Sequence, residues 1–130
     1  MKGPPKLMVV DDEIDVCNFL KSFFELRGFT VCTALNGDDA LLVLAKEKPD
    51  VVLLDVKMRT ETEGLDYLTT IKKALPLAKV IMVTGIDDTE TVELAKSLGA
   101  DDYIVKPLVL EYLESTVIKK IGALTKASYE

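Results

Sequence analysis

Polar side chains that can do chemistry follow short apolar runs at four places in this chain. Asp11 and Asp12 follow LMVV, Asp55 follows VVLL, Thr84 follows VIMV and Lys106 follows DYIV. A charged group beside a buried segment is costly unless it has a partner or a use. Each feature alone has an ordinary reading, such as a turn aspartate, a β-forming threonine or a surface lysine. Their coincidence at four apolar ends favours one shared site.

The combination of three carboxylates, a hydroxyl and an ammonium group predicts phosphoryl chemistry. Carboxylates brought close together raise one another's pKa, and a divalent cation with oxygen ligands, Mg²⁺ above all, relieves that repulsion. The lysine would neutralise phosphoryl charge and the threonine would bond a phosphoryl oxygen, while Gly85 leaves the approach open. Asp55 is then free to act as a nucleophile and form an aspartyl phosphate.

The composition narrows the function further. The chain has 130 residues and no histidine, which excludes a Ser-His-Asp triad, a His-ligated zinc site and a phosphohistidine on this chain. A net charge of −6 argues against a nucleic-acid surface and against docking on anionic lipid. No apolar run approaches the roughly 20 residues that span a bilayer, and the opening MKGPPK has no apolar core of a secretion signal. With only two cysteines, the sequence predicts a cytoplasmic protein with reduced thiols.

Short apolar runs alternate with segments of helical period along the whole chain. Three of the runs are almost entirely apolar, as strands buried on both faces of a parallel sheet are. The predicted strands are 7–10, 29–34, 51–54, 79–83 and 102–105.

Five helices are predicted between and after the strands. The first starts near Glu13, ends at Gly28 and carries one apolar stripe, made of Val16, Phe19, Leu20, Phe23 and Phe24. The others are predicted after a cap at Asn36, between Gly64 and Pro76, over 87–98, and from Pro107 onwards. This alternation predicts an α/β fold, a doubly wound five-stranded parallel sheet with helices on both faces. We expect one domain with its core at about 6–124 and tails at 1–5 and 126–130. In such a sheet the four polar positions meet at the carboxyl edge.

Four motifs give the chain a resemblance to a known family. They are VVDDE at 9–13, LLDVKM at 53–58, VTG at 83–85 and GADDYIVKP at 99–107. With these motifs the chain resembles the CheY-like receiver domain of two-component response regulators, over about residues 7–124. The resemblance implies the flavodoxin-like (βα)5 fold. It also implies that Asp55 accepts the phosphoryl group of a phosphohistidine, and that Asp11, Asp12, Asp55 and the Lys57 backbone carbonyl hold Mg²⁺.

The resemblance assigns further roles around this site. Thr84 and Lys106 would bind the phosphoryl group, and Tyr103 would be the switch aromatic that turns inward when Thr84 moves. The Lys106–Pro107 peptide bond would be cis, which aims the lysine inward. Lys57 and Ile86 lie two positions after Asp55 and Thr84, and neither provides a base for an attacking water, so slow autodephosphorylation is predicted.

Partners also follow from the resemblance. A histidine kinase or a histidine phosphotransfer protein would donate the phosphoryl group, and a downstream protein or a fused output domain would receive the signal. Ile14 and Leu108 are predicted to contact a partner beside the site. A phosphorylation-dependent dimer would use the face of the fourth helix, fifth strand and fifth helix.

Two departures and two alternatives remain at this point. Arg59 stands where the family usually has proline, and Gly64 lies one residue further from Asp55 than is usual. One alternative is a pseudo-receiver, an interaction module that never takes a phosphate. The other is a phosphatase with an aspartate nucleophile, which needs a second aspartate where this chain has Lys57. Whether the chain stands alone or belongs to a longer regulator stays open.

Overall fold

Five parallel strands form one sheet in the computed structural model, which describes residues 4–85 and 89–125 of the chain. The strand order is β2-β1-β3-β4-β5, so that the chain winds outward from β1 in both directions. The strands are β1 (Lys6–Val10), β2 (Thr30–Ala34), β3 (Val51–Asp55), β4 (Lys79–Thr84) and β5 (Asp102–Val105).

Helices follow each strand, and the last helix is composite. It consists of three consecutive segments, α5, a π-helical turn at Leu113–Val117, and α6. The helices are α1 (Ile14–Glu25), α2 (Gly37–Glu47), α3 (Glu63–Ala74), α4 (Thr89–Ser97), α5 (Leu110–Tyr112) and α6 (Ile118–Thr125). Across the described residues, none of these helices has both the length and the apolar character needed to cross a membrane.

Strand side chains alternate between two apolar layers, because successive residues of a strand point to opposite faces. Leu7 and Val9 of β1 pack under α1 and the composite last helix. Met8 and Val10 pack under α2, α3 and α4. The predicted α/β fold, with a parallel sheet and helices on both faces, is therefore confirmed, and the sheet is buried on both sides.

Local signals explain two of the helix ends. The Asn36 side chain accepts a hydrogen bond from the Asp39 amide at 2.9 Å, so the predicted cap of α2 is present. The segment after α1 reverses at Gly28, whose φ of 88° lies in the left-handed region that favours glycine.

Two predicted helix starts and one predicted burial were wrong. The third helix begins at Glu63 and not after Gly64. The last helix begins at Leu110 and not at Pro107, because Val109 keeps an extended backbone and its carbonyl accepts the first helical hydrogen bond. Phe19 was expected on the buried stripe of α1 but is 44% exposed.

The stripe of α1 is centred elsewhere than expected. Cys17, Leu20 and Phe24 are buried at spacings of three and four, which turns Phe19 to the edge of the helix. The predicted start of the fourth helix, at position 87, lies outside the described residues.

Candidate functional site

The polar residues that end the strands meet at one edge of the sheet. Asp11 follows β1, Asp55 ends β3 and Thr84 ends β4, and these three strands are adjacent and parallel. Lys106 follows β5, and its amide donates to the Thr84 carbonyl at 2.8 Å. Together with Asp12, three of these residues line a pocket of about 280 Å³, namely Asp55, Thr84 and Lys106.

Three carboxylates converge at this edge of the sheet. Asp11, Asp12 and Asp55 each offer one oxygen, and these atoms all lie within 4.8 Å of one another. Asp11 and Asp55 are buried, whereas Asp12 is exposed at the mouth of the pocket. An all-oxygen set of this kind suits a hard divalent cation such as Mg²⁺.

Lys106 partly neutralises the two buried acids. Its Nζ lies 3.0 Å from Asp11 Oδ2 and 2.8 Å from Asp55 Oδ2. Burial disfavours the ammonium, but the hydrogen bonds to both carboxylates prevail and raise the pKa of Lys106 above its ordinary value. The amine therefore stays protonated and supplies one fixed positive charge.

One lysine does not compensate the site fully. Burial raises the pKa of Asp55 to about 6, against the hydrogen bond from Lys106, and the neighbouring Asp11 charge adds to the rise. The ionised form of Asp55 is therefore destabilised, and a further cation would relieve it. The set of three carboxylates therefore fits Mg²⁺.

Thr84 presents an unused donor. Thr84 is only 3% exposed, and within the described part of the chain its Oγ1 has no hydrogen-bond partner. A buried hydroxyl without a partner is costly, since it has lost water and gained nothing. An anionic oxygen in the pocket would satisfy it.

The loop after β3 carries the predicted carbonyl ligand. The side chain of Lys57 points to this loop, with Nζ 3.2 Å from Glu61 and 61% of the side chain exposed. Lys57 thus does not lie over Asp55 here, and Ile86, the other residue named for slow hydrolysis, lies outside the described residues.

Tyr103 lies on β5, with its ring between two lysines. The Nζ atoms of Lys96 and Lys120 are 5.6 and 5.2 Å from the ring centroid, and Lys120 also pairs with Asp102 at 2.9 Å. The Lys106–Pro107 peptide bond is cis, the isomer that the resemblance implies.

An apolar groove of about 470 Å³ adjoins the site. Val16 and Phe19 of α1 form one wall, and Pro107 and Leu108 form the other, with Lys106 at its end. Ile14, at the start of the same helix, is 59% exposed. Sequence reasoning named Ile14 and Leu108 as contacts but not Phe19, because the spacing of three from Val16 placed Phe19 on the buried stripe.

Arg59 and Glu63 form a second polar group beside the site. Glu63 is an acid that is only 3% exposed, and Arg59 Nη2 lies 2.6 Å from its Oε2. Sequence reasoning noted Arg59 only as a departure and did not name Glu63. The signal was present as an Arg-to-Glu spacing of four residues.

The electrostatics of the pocket predict an unusual titration. In metal-free protein, Asp55 should titrate near pH 6, and Lys106→Ala should raise that pKa further because it removes a hydrogen bond and a positive charge. Since the folded-state pKa lies above the ordinary 3.8, the contribution of Asp55 to stability falls as pH rises through this window. Mg²⁺ binding to Lys106→Ala should be intact or stronger, since a competing cation is gone.

Carbon-detected NMR of the Asp55 carboxyl over pH 4 to 8, without and with Mg²⁺, measures these effects. Lys72→Ala, which removes an ion pair at the far end of α3, serves as the control. An Asp55 pKa at or below its ordinary value in wild type would contradict the raised pKa that we expect at this site.

Comparisons with known proteins agree with this geometry. The family model "Response regulator receiver domain" matches residues 7–118. The transcriptional regulatory protein ZraR of Salmonella typhimurium is 33% identical over 122 residues, which are 94% of this chain and 27% of that protein. The regulatory protein AtoC of Escherichia coli is 37% identical over 112 residues, which are 86% of this chain and 24% of that protein.

Solved structures of receiver domains are also similar to this chain. The receiver domain of NtrX from Brucella abortus superposes with a TM-score of 0.78 at 31% identity, covering 89% of this chain and 98% of that one. A CheY-like receiver domain protein from Methanospirillum hungatei superposes with a TM-score of 0.82 at 28% identity, covering 95% and 98%. The chain spans about a quarter of the length of curated relatives such as ZraR and AtoC. From its motifs, fold and site, and from these matches, the chain belongs to the response regulator receiver domain family.

Proposed function

We propose that this receiver domain accepts a phosphoryl group on Asp55 from the phosphohistidine of a histidine kinase or histidine phosphotransfer protein. The observation that carries the proposal is the setting of Asp55. Its carboxylate is buried, lies beside a second acid, pairs with Lys106, and shares a pocket with the Thr84 hydroxyl, which has no partner among residues 4–85 and 89–125.

Positioning and charge neutralisation account for the transfer. The carboxylates of Asp11, Asp12 and Asp55 and the carbonyl of Lys57 would hold Mg²⁺, which supplies charge neutralisation for the transferred oxygens. A carboxylate oxygen of Asp55 attacks phosphorus as the bond from phosphorus to the histidine nitrogen breaks, and the electron pair leaves with the imidazole.

Lys106 and Thr84 then hold the product. Lys106 pairs with one phosphoryl oxygen, exchanging its present contact with Asp55 for the new anion. Thr84 donates its hydroxyl to another oxygen, which gives that buried group its missing partner. As Thr84 moves toward the phosphoryl group, Tyr103 turns inward and leaves the two lysines that now flank its ring.

The signal is read at a distance from Asp55. We propose that the rearranged face of α4, β5 and the composite last helix contacts a downstream protein or a fused output domain, or forms a phosphorylation-dependent dimer. Support comes from relatives such as ZraR and AtoC, which are about four times as long as the segment that matches this chain. The boundaries proposed for the domain itself remain a core at about 6–124 with short tails. The proposed location is the cytoplasm.

The two other functions fit the residues less well. A pseudo-receiver would have no need for the full set of Asp55, Thr84 and Lys106, all of which point to one pocket. Binding of beryllofluoride with Mg²⁺ separates the two cases. An aspartate phosphatase would need an acid where Lys57 stands.

The acceptor assignment predicts a simple result. Acetyl phosphate with Mg²⁺ should add one phosphoryl group to wild type, and Asp55→Asn should remove it, because the amide is not a nucleophile. Intact-protein mass spectrometry measures the added group. Asp66→Asn, on an exposed carboxylate of α3, is the control and should label as wild type does. Stoichiometric labelling of Asp55→Asn would refute the assignment.

A slow loss of the phosphoryl group is also proposed. Lys57, once it leaves Glu61, can lie over the phosphoryl group, and it has no carboxylate or imidazole to act as a base for water. Lys57→Asn should therefore hydrolyse faster, as should Ile86→Glu, when loss of the label is followed over time. Equal rates in the variants and wild type would show that these positions do not control water.

The apolar groove predicts where the phosphodonor docks. A donor must bring its phosphohistidine to Asp55, so the surface that adjoins the pocket must contact it, and this surface is formed by α1 and the loop after β5. Ile14→Asp should slow transfer from a phosphotransfer protein about thirtyfold, which corresponds to a hot-spot loss of about 2 kcal/mol. Labelling by acetyl phosphate should not change, because the small donor needs no docking surface.

The matched control is Leu42→Asp, the same kind of change at a leucine of α2 that is 72% exposed. Transfer from the phosphotransfer protein and labelling by acetyl phosphate are both followed by separating the proteins on a gel and counting the bound label. Equal slowing by Leu42→Asp and Ile14→Asp, or no slowing by Ile14→Asp, would refute the docking site.

A further inference from the structure

Glu63 is a buried acid that uses both of its oxygens. Oε2 accepts a hydrogen bond from the Gly37 amide at 2.7 Å, and Oε1 accepts one from the Arg59 amide at 2.9 Å. Gly37 is the first residue of α2, so that its amide is one of the donors a helix start leaves free. Glu63 itself begins α3. One carboxylate therefore joins the starts of two helices and the loop after β3.

Arg59 supplies the charge that lets this acid be buried. Its Nε lies 3.0 Å from both oxygens of Glu63, and Nη2 lies 2.6 Å from Oε2. The paired guanidinium, with the two amides, outweighs burial and holds the pKa of Glu63 at about 2. Arg59 Nη1 also reaches Asp38 of α2 at 3.4 Å. We call this ion pair of Arg59 and Glu63, with its two amide contacts, the loop clasp.

The loop clasp follows Lys57, whose backbone carbonyl is the proposed metal ligand, in the loop after β3. The Lys57 carbonyl belongs to the same planar peptide group as the Met58 amide, which donates to Thr60 at 3.0 Å. The next amide is that of Arg59, and it is held by Glu63. The direction of the Lys57 carbonyl is thus set by two consecutive hydrogen bonds, from the Met58 amide to Thr60 and from the Arg59 amide to Glu63.

The far end of the loop is fixed against Asp55. The Gly64 amide donates to the Val56 carbonyl at 2.8 Å. A Cβ atom on Gly64 would lie 2.0 Å from the Asp55 carbonyl oxygen, so only glycine allows this approach. Glu63 precedes this contact directly, and the clasp therefore ties the loop to the backbone of the phosphoacceptor.

We propose that Arg59 and Glu63 are positioning residues for the metal site, which hold the loop so that the Lys57 carbonyl faces Asp11 and Asp55. The inference rests on the proposed function, because it assumes that this carbonyl is a metal ligand. It also explains why the loop works without a proline at position 59. A proline there has no amide hydrogen for Glu63 and no guanidinium.

Measuring Mg²⁺ affinity apart from the chemical step tests the proposal. Mg²⁺ is titrated into the metal-free full chain by NMR chemical shift or calorimetry, and labelling by acetyl phosphate is followed over a range of Mg²⁺ concentrations. Arg59→Ala should weaken Mg²⁺ binding about tenfold, the usual effect of losing a residue that orients a ligand. At saturating Mg²⁺ its labelling rate should return to about that of wild type, because Asp55, Thr84 and Lys106 are untouched.

Two further variants test the geometry. Arg59→Lys keeps the charge but not the forked contact to both oxygens, and should fall between wild type and Arg59→Ala. Lys72→Ala is the matched control, since it breaks another partly buried ion pair of α3, with Asp101 at 3.0 Å, away from the metal. It should bind Mg²⁺ as wild type does.

The outcomes separate the inference from the function on which it rests. Wild type that binds no Mg²⁺ and takes no phosphoryl group would overturn both. Wild type that does both, with Mg²⁺ affinity unchanged in Arg59→Ala, would overturn the inference alone. It would also be overturned if Lys72→Ala weakened binding as much, or if neither Arg59 variant folded, because the pair would then only stabilise the fold.

Discussion

The repulsion between two buried carboxylates, bridged by one ammonium group, is the constraint on which this structure depends. Asp11 and Asp55 share Lys106 at 3.0 and 2.8 Å, and burial, together with the Asp11 charge, raises the pKa of Asp55 in spite of that lysine. A site of this kind costs stability and persists only where the surrounding fold holds it in place. The cost has a use, because the same uncompensated charge favours a divalent cation and, with it, a phosphoryl group.

A sheet buried on both faces gives the site its rigidity. β1, β3 and β4 are adjacent, parallel and almost wholly apolar, so their ends cannot shift without disturbing two cores. The loop after β3 has local support of another kind. The ion pair of Arg59 with Glu63 combines a forked guanidinium with two backbone amides beside the phosphoacceptor.

The pocket also lies between two different surfaces. On one side lies the apolar groove lined by Val16, Phe19 and Leu108, where we propose that a phosphodonor docks. On the other side, Thr84 ends β4 and Tyr103 lies on neighbouring β5, with its ring between two ammonium groups. The hydroxyl of Thr84 connects the two sides, because it is buried, lacks a partner among the described residues and lines the pocket.

The sequence by itself determined the strands, the sheet type and which side chains stand at its carboxyl edge. An apolar run such as LMVV or VVLL predicts a buried strand from its own residues. The carboxyl ends of parallel strands then lie at one edge of the sheet. Only the tertiary structure decided that Phe19 is exposed, that Lys57 pairs with Glu61, and that Glu63 is buried against Arg59 and the start of α2. The exposure of Phe19 and the pairing of Lys57 depend on the direction of single side chains, and the contact of Glu63 with α2 depends on the approach of segments 26 residues apart. No local period encodes either, because both are set by how the helices pack on the finished sheet.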